Sequence, residues 1–381
     1  MTSKERVLMA VAHEEPDRVP TGEWEFGREM VEPILGKGTY RDEWATHHAL
    51  WQGRRDEVIH NWKTGLVKLT EYYQWDAVLV HNCIGQGTPV EAPEPAGENK
   101  WRNTRGDIIT YSPETDCFLI TERGPTPPVA VPLPKPAAPQ TQEPTDSELE
   151  VVRHVVRELG KTHFLFSAPL FGHPGLAYGD ASYSEVENWV QVWEDPEGMG
   201  KKRLKGATSP SSRRGIEIAK REGMDGVATG CDYGYNTGPF ISPEIFRIAV
   251  FPGLKAWCDL VHEYGLIALL HSCGNNQILM DQIVEAGVDI YQSIQPEMDI
   301  VAMKRRFGKN ITLWGGVPAG ALVLETPERI KEIARRNLEA CKPGGGYIYA
   351  TSHSIMPQAK FENYQAMLEV LREYGAYAVK H

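Results

Sequence analysis

Leu266-Ile-Ala-Leu-Leu-His-Ser-Cys-Gly-Asn275 is a run of five apolar residues that ends abruptly in His271, Cys273 and Gly274. Flanked by helical patterns, such a run reads as a parallel strand buried on both faces. Strands of that kind offer side chains for chemistry only beyond their carboxyl ends, where His271 and Cys273 stand. At positions i and i+2 of an extended segment the two side chains leave the same face, so imidazole and thiolate can converge on one borderline metal ion, zinc above all. The pair alone is equally the pattern of a buried histidine beside an inert core cysteine, and a third ligand is needed to separate the two readings.

Outward from this strand, apolar runs alternate with helical patterns in both directions. Downstream, residues 277–286 read as a helix and 289–294 as a strand ending at Gln295 and Glu297. A helix over 298–307 leads to a strand over 310–314 that ends at Gly315-Gly316. A helix over 327–341 leads to a strand over 346–351, followed by Ser352, His353 and a last helix over 361–374. Upstream, 243–264 is helical and 225–231 is a strand with Asp232, Tyr233 and Tyr235 just past it. Residues 162–168 form a strand ending near Phe171 and His173, and a broken helical pattern runs from Ser184 to Gly223.

The amino-terminal part is less regular. A short helix over 4–13 gives way at Pro16-Asp-Arg-Val-Pro20 to a first strand over 18–24, whose end carries Glu23, Trp24 and Glu25. Residues 42–73 are helical with a break at Gly53-Arg-Arg55, and 76–81 is the second strand, ending in His81 and Asn82. Residues 84–144 then interrupt the rhythm. A hairpin over 101–111 and 117–123 is followed by a proline-rich segment over 125–144, an insertion over one barrel face that serves as a lid or as a solvated linker. Thr145 and Glu148, at capping-box spacing, restart the alternation with a helix to Gly160.

Eight strands separated by helices, with no shift of composition that marks a boundary, predict an α/β fold. It is a single (β/α)₈ barrel over residues 1–381, with an amino-terminal helical extension and the insertion after strand two. Composition agrees: the 381 residues are 41% hydrophobic, 9% aromatic and 24% charged, enough to bury a large core. Forty basic against 51 acidic residues give a net charge of −11. With no basic patch, this argues for a soluble protein and against a nucleic-acid or anionic-membrane surface. No apolar run reaches the length of a membrane span or signal-peptide core, so a cytoplasmic location is expected. The six cysteines show no paired spacing, which disfavours a disulfide framework. No Gly-x-Gly-x-x-Gly follows the first strand and no P-loop pattern occurs, and Gly344-Gly-Gly346 precedes a strand instead of opening a helix.

The barrel places His353, just past strand eight, on the same carboxyl-terminal rim as His271 and Cys273. Three ligands with an open fourth position are the arrangement of catalytic zinc, whereas a closed set of four is structural. Gln295, Glu297 and Asp232 are candidates for a fourth ligand, or for catalytic residues behind the first three.

At this point the chain resembles the uroporphyrinogen decarboxylase superfamily. The resemblance lies in His271-Ser-Cys-Gly274, in Gly238-Pro-Phe-Ile-Ser-Pro-Glu-Ile-Phe246, in Thr312-Leu-Trp-Gly-Gly-Val317 and in the opening helix that runs into Pro16-Asp-Arg-Val-Pro20. It covers nearly the whole chain and implies one of two branches. One is the metal-free decarboxylase of haem synthesis; the other comprises zinc methyltransferases that move methyl between a small molecule, a corrinoid-carrier protein and a thiol. The decarboxylase branch carries an arginine-rich signature after the first strand to hold substrate carboxylates. Here that place reads Gly22-Glu-Trp-Glu-Phe-Gly27, whose two acids would repel a polycarboxylate.

The methyltransferase branch matches at His271 and Cys273, but its usual third ligand is a cysteine where this chain has His353. The substitution leaves a less thiolate-rich, more Lewis-acidic zinc. Such a metal suits an ether oxygen and its leaving phenolate better than a thiol of the coenzyme M type. The resemblance therefore implies a methoxyarene O-demethylase, passing methyl to the cobalt(I) of a partner corrinoid (cobalamin) protein. Glu23, Trp24, Phe26, His81, Tyr233 and Tyr235 would line the substrate site, the aromatic members stacking on the ring. A porphyrinogen-type decarboxylase and a thiol methyltransferase are the alternatives, and a non-catalytic barrel that binds a corrinoid partner is a third. The assembly state stays open, a homodimer included.

Overall fold

The computed structural model describes residues 1–124, 143–168 and 190–378. In chain order its strands begin with β1 (Ala77–Leu79) and the four strands of the inserted segment, β2 (Glu94–Gly97), β3 (Lys100–Arg102), β4 (Ile108–Ser112) and β5 (Cys117–Glu122). Then come β6 (Phe164–Ser167), β7 (Gly226–Gly230), the short pair β8 (Gly234–Tyr235) and β9 (Gly238–Pro239), β10 (Ile267–His271), β11 (Ile290–Ile294), β12 (Thr312–Val317) and β13 (Tyr347–Thr351). Seven of them form one curled parallel sheet in the order β1-β6-β7-β10-β11-β12-β13. Helices separate successive members, as the alternating pattern predicts.

Both faces of this sheet are buried, and the side chains divide by parity. Leu269 joins Ala77, Phe164, Phe166, Ala228, Ile290, Trp314 and Ile348 in one apolar cluster on the concave side. Ala268 and Leu270 instead pack among the helices on the convex side. His271, two residues past Leu269, therefore points inward at the top of the sheet. The preceding helix Phe251–Glu263 stops at Gly265, whose φ of +64° turns the chain back into β10.

The expected first strand, residues 18–24, is not a strand. It makes isolated bridges only, Arg18 with Ala376 and Thr21 with Tyr349. Even so, Thr21 joins both edges of the sheet. Its carbonyl accepts the Asp76 and Ala77 amides at 2.6 and 3.1 Å, its hydroxyl donates to the Tyr349 carbonyl at 2.7 Å, and the Tyr349 amide donates to Pro20 at 2.9 Å. Side chains do the holding that a full ladder would do. The fully buried Asp76 carboxylate takes Arg6 at 2.8 Å, Arg18 at 2.6 Å and the Thr21 amide at 2.8 Å. Gly22 permits the approach to β1, because a Cβ there would lie 2.3 Å from the Ala77 carbonyl oxygen.

In the inserted segment the expected hairpin is a four-stranded antiparallel sheet, β2-β3-β4-β5. It docks through Trp101 and Phe118 onto Trp44 and Trp51 of the helix Glu43–Trp51, with ring centres 5.5 Å apart for Trp44–Trp101 and 5.6 Å for Trp51–Phe118. Thr145 and Glu148 exchange the expected capping bonds, at 2.7 and 3.3 Å, ahead of the helix Glu150–Leu159. Most of the proline-rich segment, the ending at Phe171 and His173 and the helical start at Ser184 lie outside the described residues. Among the described residues no helix is long and apolar enough to cross a membrane.

Candidate metal centre and adjoining cavity

The end of β10 delivers His271, the turn that follows it Cys273, and the turn after β13 His353. One donor atom from each lies within 4.8 Å of the others, and all three residues are half-buried. His271 Nε2 and Cys273 Sγ are 3.4 Å apart. Bonds of about 2.0 Å to nitrogen and 2.3 Å to sulfur set tetrahedral corner distances near this value, so the donor set fits zinc. The ring centres of His271 and His353 are 5.5 Å apart.

The tautomer of His271 follows from strand register. His271 pairs with Gln292 across β10 and β11, and its Nδ1 hydrogen-bonds the Gln292 side-chain oxygen. An Nδ1–H donated to that oxygen leaves the Nε2 lone pair facing Cys273 and His353. The Trp24 ring stacks on the other side of the imidazole at 4.9 Å and 23°. Burial lowers the pKa of both His271 and His353, which keeps the imidazoles neutral, the form that ligates metal. Burial raises that of the Cys273 thiol, and the neighbouring Asp232 carboxylate adds to the rise.

The Ser-Cys-Gly turn is held by residues that were candidates for a fourth ligand. The Cys273 amide donates to Asp232 Oδ1 at 2.9 Å, and the Gly274 amide donates to Gln295 Oε1 at 2.9 Å. Gly274, at φ +90°, lies so close to the β8 backbone that a Cβ would meet the Gly234 carbonyl oxygen at 2.2 Å. Glu297 is exposed, and its carbonyl meets the Gln277 side chain at 3.4 Å. Among the described residues the metal-type cluster consists of His271, Cys273 and His353 alone.

A cavity of about 220 Å³ opens beside Trp24, between the 18–26 segment and β1. Glu23, Trp24, Phe26 and His81, all expected at a substrate site, line it together with Glu25, Arg41 and Trp75, of which Arg41 and Trp75 carry no motif signal in the sequence. The two tyrosines expected beside them are elsewhere. Tyr233 is buried against Phe246 with ring centres 5.1 Å apart, and Tyr235 stands exposed against Phe240. The chain turns back after β7 through the short β8–β9 pair, so position just past a strand end does not bring them to the cavity. Gln292 carries no signal in the sequence either, because a mid-strand glutamine reads as an ordinary core position.

Comparison with known proteins finds that residues 226–374 match the family model described as Uroporphyrinogen decarboxylase (URO-D). A uroporphyrinogen decarboxylase from Magnetococcus marinus is 28% identical over 143 residues, covering 36% of this chain and 39% of that one. Another from Methylococcus capsulatus is 26% identical over 241 residues, covering 60% and 66%. The chain thus spans less than two thirds of the length of these curated relatives. A solved methyltransferase from Methanosarcina mazei has the same fold at a TM-score of 0.62 and 17% identity, over 98% of this chain and 99% of that one.

Proposed function

We propose that this protein is a zinc-dependent methyltransferase of the uroporphyrinogen decarboxylase superfamily. It demethylates a methoxylated aromatic compound and hands the methyl group to the cobalt(I) of a separate corrinoid protein. The observation that carries the reading is the His271–Cys273–His353 donor set standing beside a cavity whose Trp24 wall is also the stacking partner of His271. The finer reading of the fold is a single (β/α)₈ barrel over the whole chain, with the 18–22 segment in the place of its first strand.

Zinc, when bound, supplies a Lewis acid for the ether oxygen. The chain's own residues do the rest. Gln292 fixes the His271 tautomer; Asp232 and Gln295 lock the turn that presents Cys273; Trp24, Phe26 and Trp75 offer ring faces to an arene and keep water from it. Cobalt(I) is already a strong nucleophile, so positioning and leaving-group stabilisation are what the enzyme must add. A second reading, decarboxylation of a porphyrinogen-like polycarboxylate, is favoured by the names of the curated relatives. Against it stands the single arginine in the cavity, too few cations to host several carboxylates.

The test incubates zinc-loaded protein with a methoxyarene and a cobalt(I) corrinoid protein and follows methylcobalt formation by its visible spectrum. Methyl transfer that depends on zinc supports the reading. Decarboxylation of uroporphyrinogen without added metal, and no methylcobalt, would replace it with the second.

A further inference from the structure

The cavity beside the metal centre contains four ionisable side chains, Glu23, Glu25, Arg41 and His81, and their charges do not cancel in the way the sequence suggests. Glu23 is held toward its protonated, neutral form. The Thr351 hydroxyl lies 2.5 Å from Glu23 Oε2 and 2.6 Å from the His353 carbonyl oxygen. A hydroxyl has one proton, so both contacts are hydrogen bonds only if the carboxyl keeps its own proton and donates it to Thr351, which donates onward to the carbonyl. Burial also raises the pKa of this carboxyl to about 8, against the pull of hydrogen bonds from Thr351 and Tyr364. Glu25 stands on the exposed rim, its carboxylate 3.9 Å from His81 Nε2.

Of the four, Arg41 is the one cation, because burial lowers the His81 pKa to about 4 and leaves that imidazole neutral, while Glu25 keeps its carboxylate at the rim. Its Nε is buried and has no hydrogen-bond partner, its guanidinium carbon lies 5.3 Å from the centre of the Phe26 ring, and among the described residues it forms no ion pair. Glu25 acts on it only through space. A part-buried guanidinium with an orphaned donor is costly unless an anion completes it, and its planar fork matches a carboxylate in bidentate fashion. One cation in a cavity of about 220 Å³ suits a small monoanion.

We propose that Arg41 anchors a carboxylate of the substrate, so that the arene taken is a methoxylated aromatic monocarboxylate whose ring lies among Trp24, Phe26 and Trp75. The methoxy part rests on the function proposed above; the preference for an anion does not.

Titration calorimetry of the zinc-loaded protein with para-methoxybenzoate and its neutral amide, para-methoxybenzamide, tests this. The wild type should bind the acid about 10- to 100-fold more tightly. Arg41→Gln should lose that preference by weakening the acid while the amide is unaffected, and Arg41→Lys should recover part of it. Equal binding of acid and amide by the wild type, or a preference that survives in Arg41→Gln, overturns the anchor, as does binding of neither probe. Acid-selective binding without methyl transfer to cobalt(I) upholds the anchor and removes the demethylase reading instead.

Discussion

The metal-type donors come from the second half of the chain, from the end of β10, the turn that follows it and the turn past β13, whereas the cavity is built by the 18–26 segment, β1 and Arg41 from the first half. The two regions are made differently. β10 to β13 are five- and six-residue parallel strands, their register shifted once between β11 and β12, buried on both faces, and they fall within the stretch that matches the family model. The cavity wall rests on a three-residue strand and on an extended segment tied down by Asp76, Arg6 and Arg18, all outside that stretch. The regions touch where Trp24 stacks on His271 and where Glu23 meets Thr351. The lesson is a division of labour: a regular half that holds the three metal-type donors, and an irregular half, held by charges, that walls the cavity beside them.

The division can be broken from the metal side first. His271→Ala or Cys273→Ala should abolish stoichiometric zinc and reduce methyl transfer roughly a thousandfold or more, while circular dichroism and melting stay near wild type, because a rim site is not needed to build the core. Zinc retained in the His353→Ala protein would remove the third ligand from the account.

The seam should fail by unfolding instead. Asp76→Ala leaves two arginines without their buried partner and should cost roughly 3–5 kcal/mol in urea denaturation. A loss under about 1 kcal/mol would mean that the backbone bonds at Thr21 hold the segment unaided.

Glu23 gives the smallest and most specific effect. Its carboxyl titrates at about 8 in the folded chain, above the ordinary carboxylate value, so between those two values the folded state binds a proton that the unfolded state has released. Its contribution to stability is therefore full at acidic pH and is lost as pH rises through about 8, by up to a few kcal/mol. Glu23→Gln keeps a neutral group there and should flatten that fall relative to wild type. Parallel pH profiles for the two proteins would contradict a protonated Glu23.

The same contrast explains what could be read from sequence. β10 and β13 are apolar almost throughout because both their faces are buried, and a run that stops at His-Ser-Cys-Gly announces its rim. The 18–24 segment misleads, since it has the apolar content of a strand but is fixed by long-range ion pairs and two edge contacts that no local pattern encodes. β2, with the sequence Glu-Pro-Ala-Gly and every residue exposed, has no strand signature and forms only because β3 offers an edge. Arg41 precedes the Asp42 N-cap of a helix and belongs to no motif. Its meaning appears only when tertiary structure brings it 5.3 Å from Phe26.

The most direct measurement of the central claim is zinc-edge X-ray absorption on the purified protein, alone and after addition of a thiol. The His271–Cys273–His353 donor set predicts one sulfur scatterer and imidazole nitrogens, with the sulfur count unchanged by the thiol. A second sulfur on thiol addition, or absence of zinc from active protein, would contradict it.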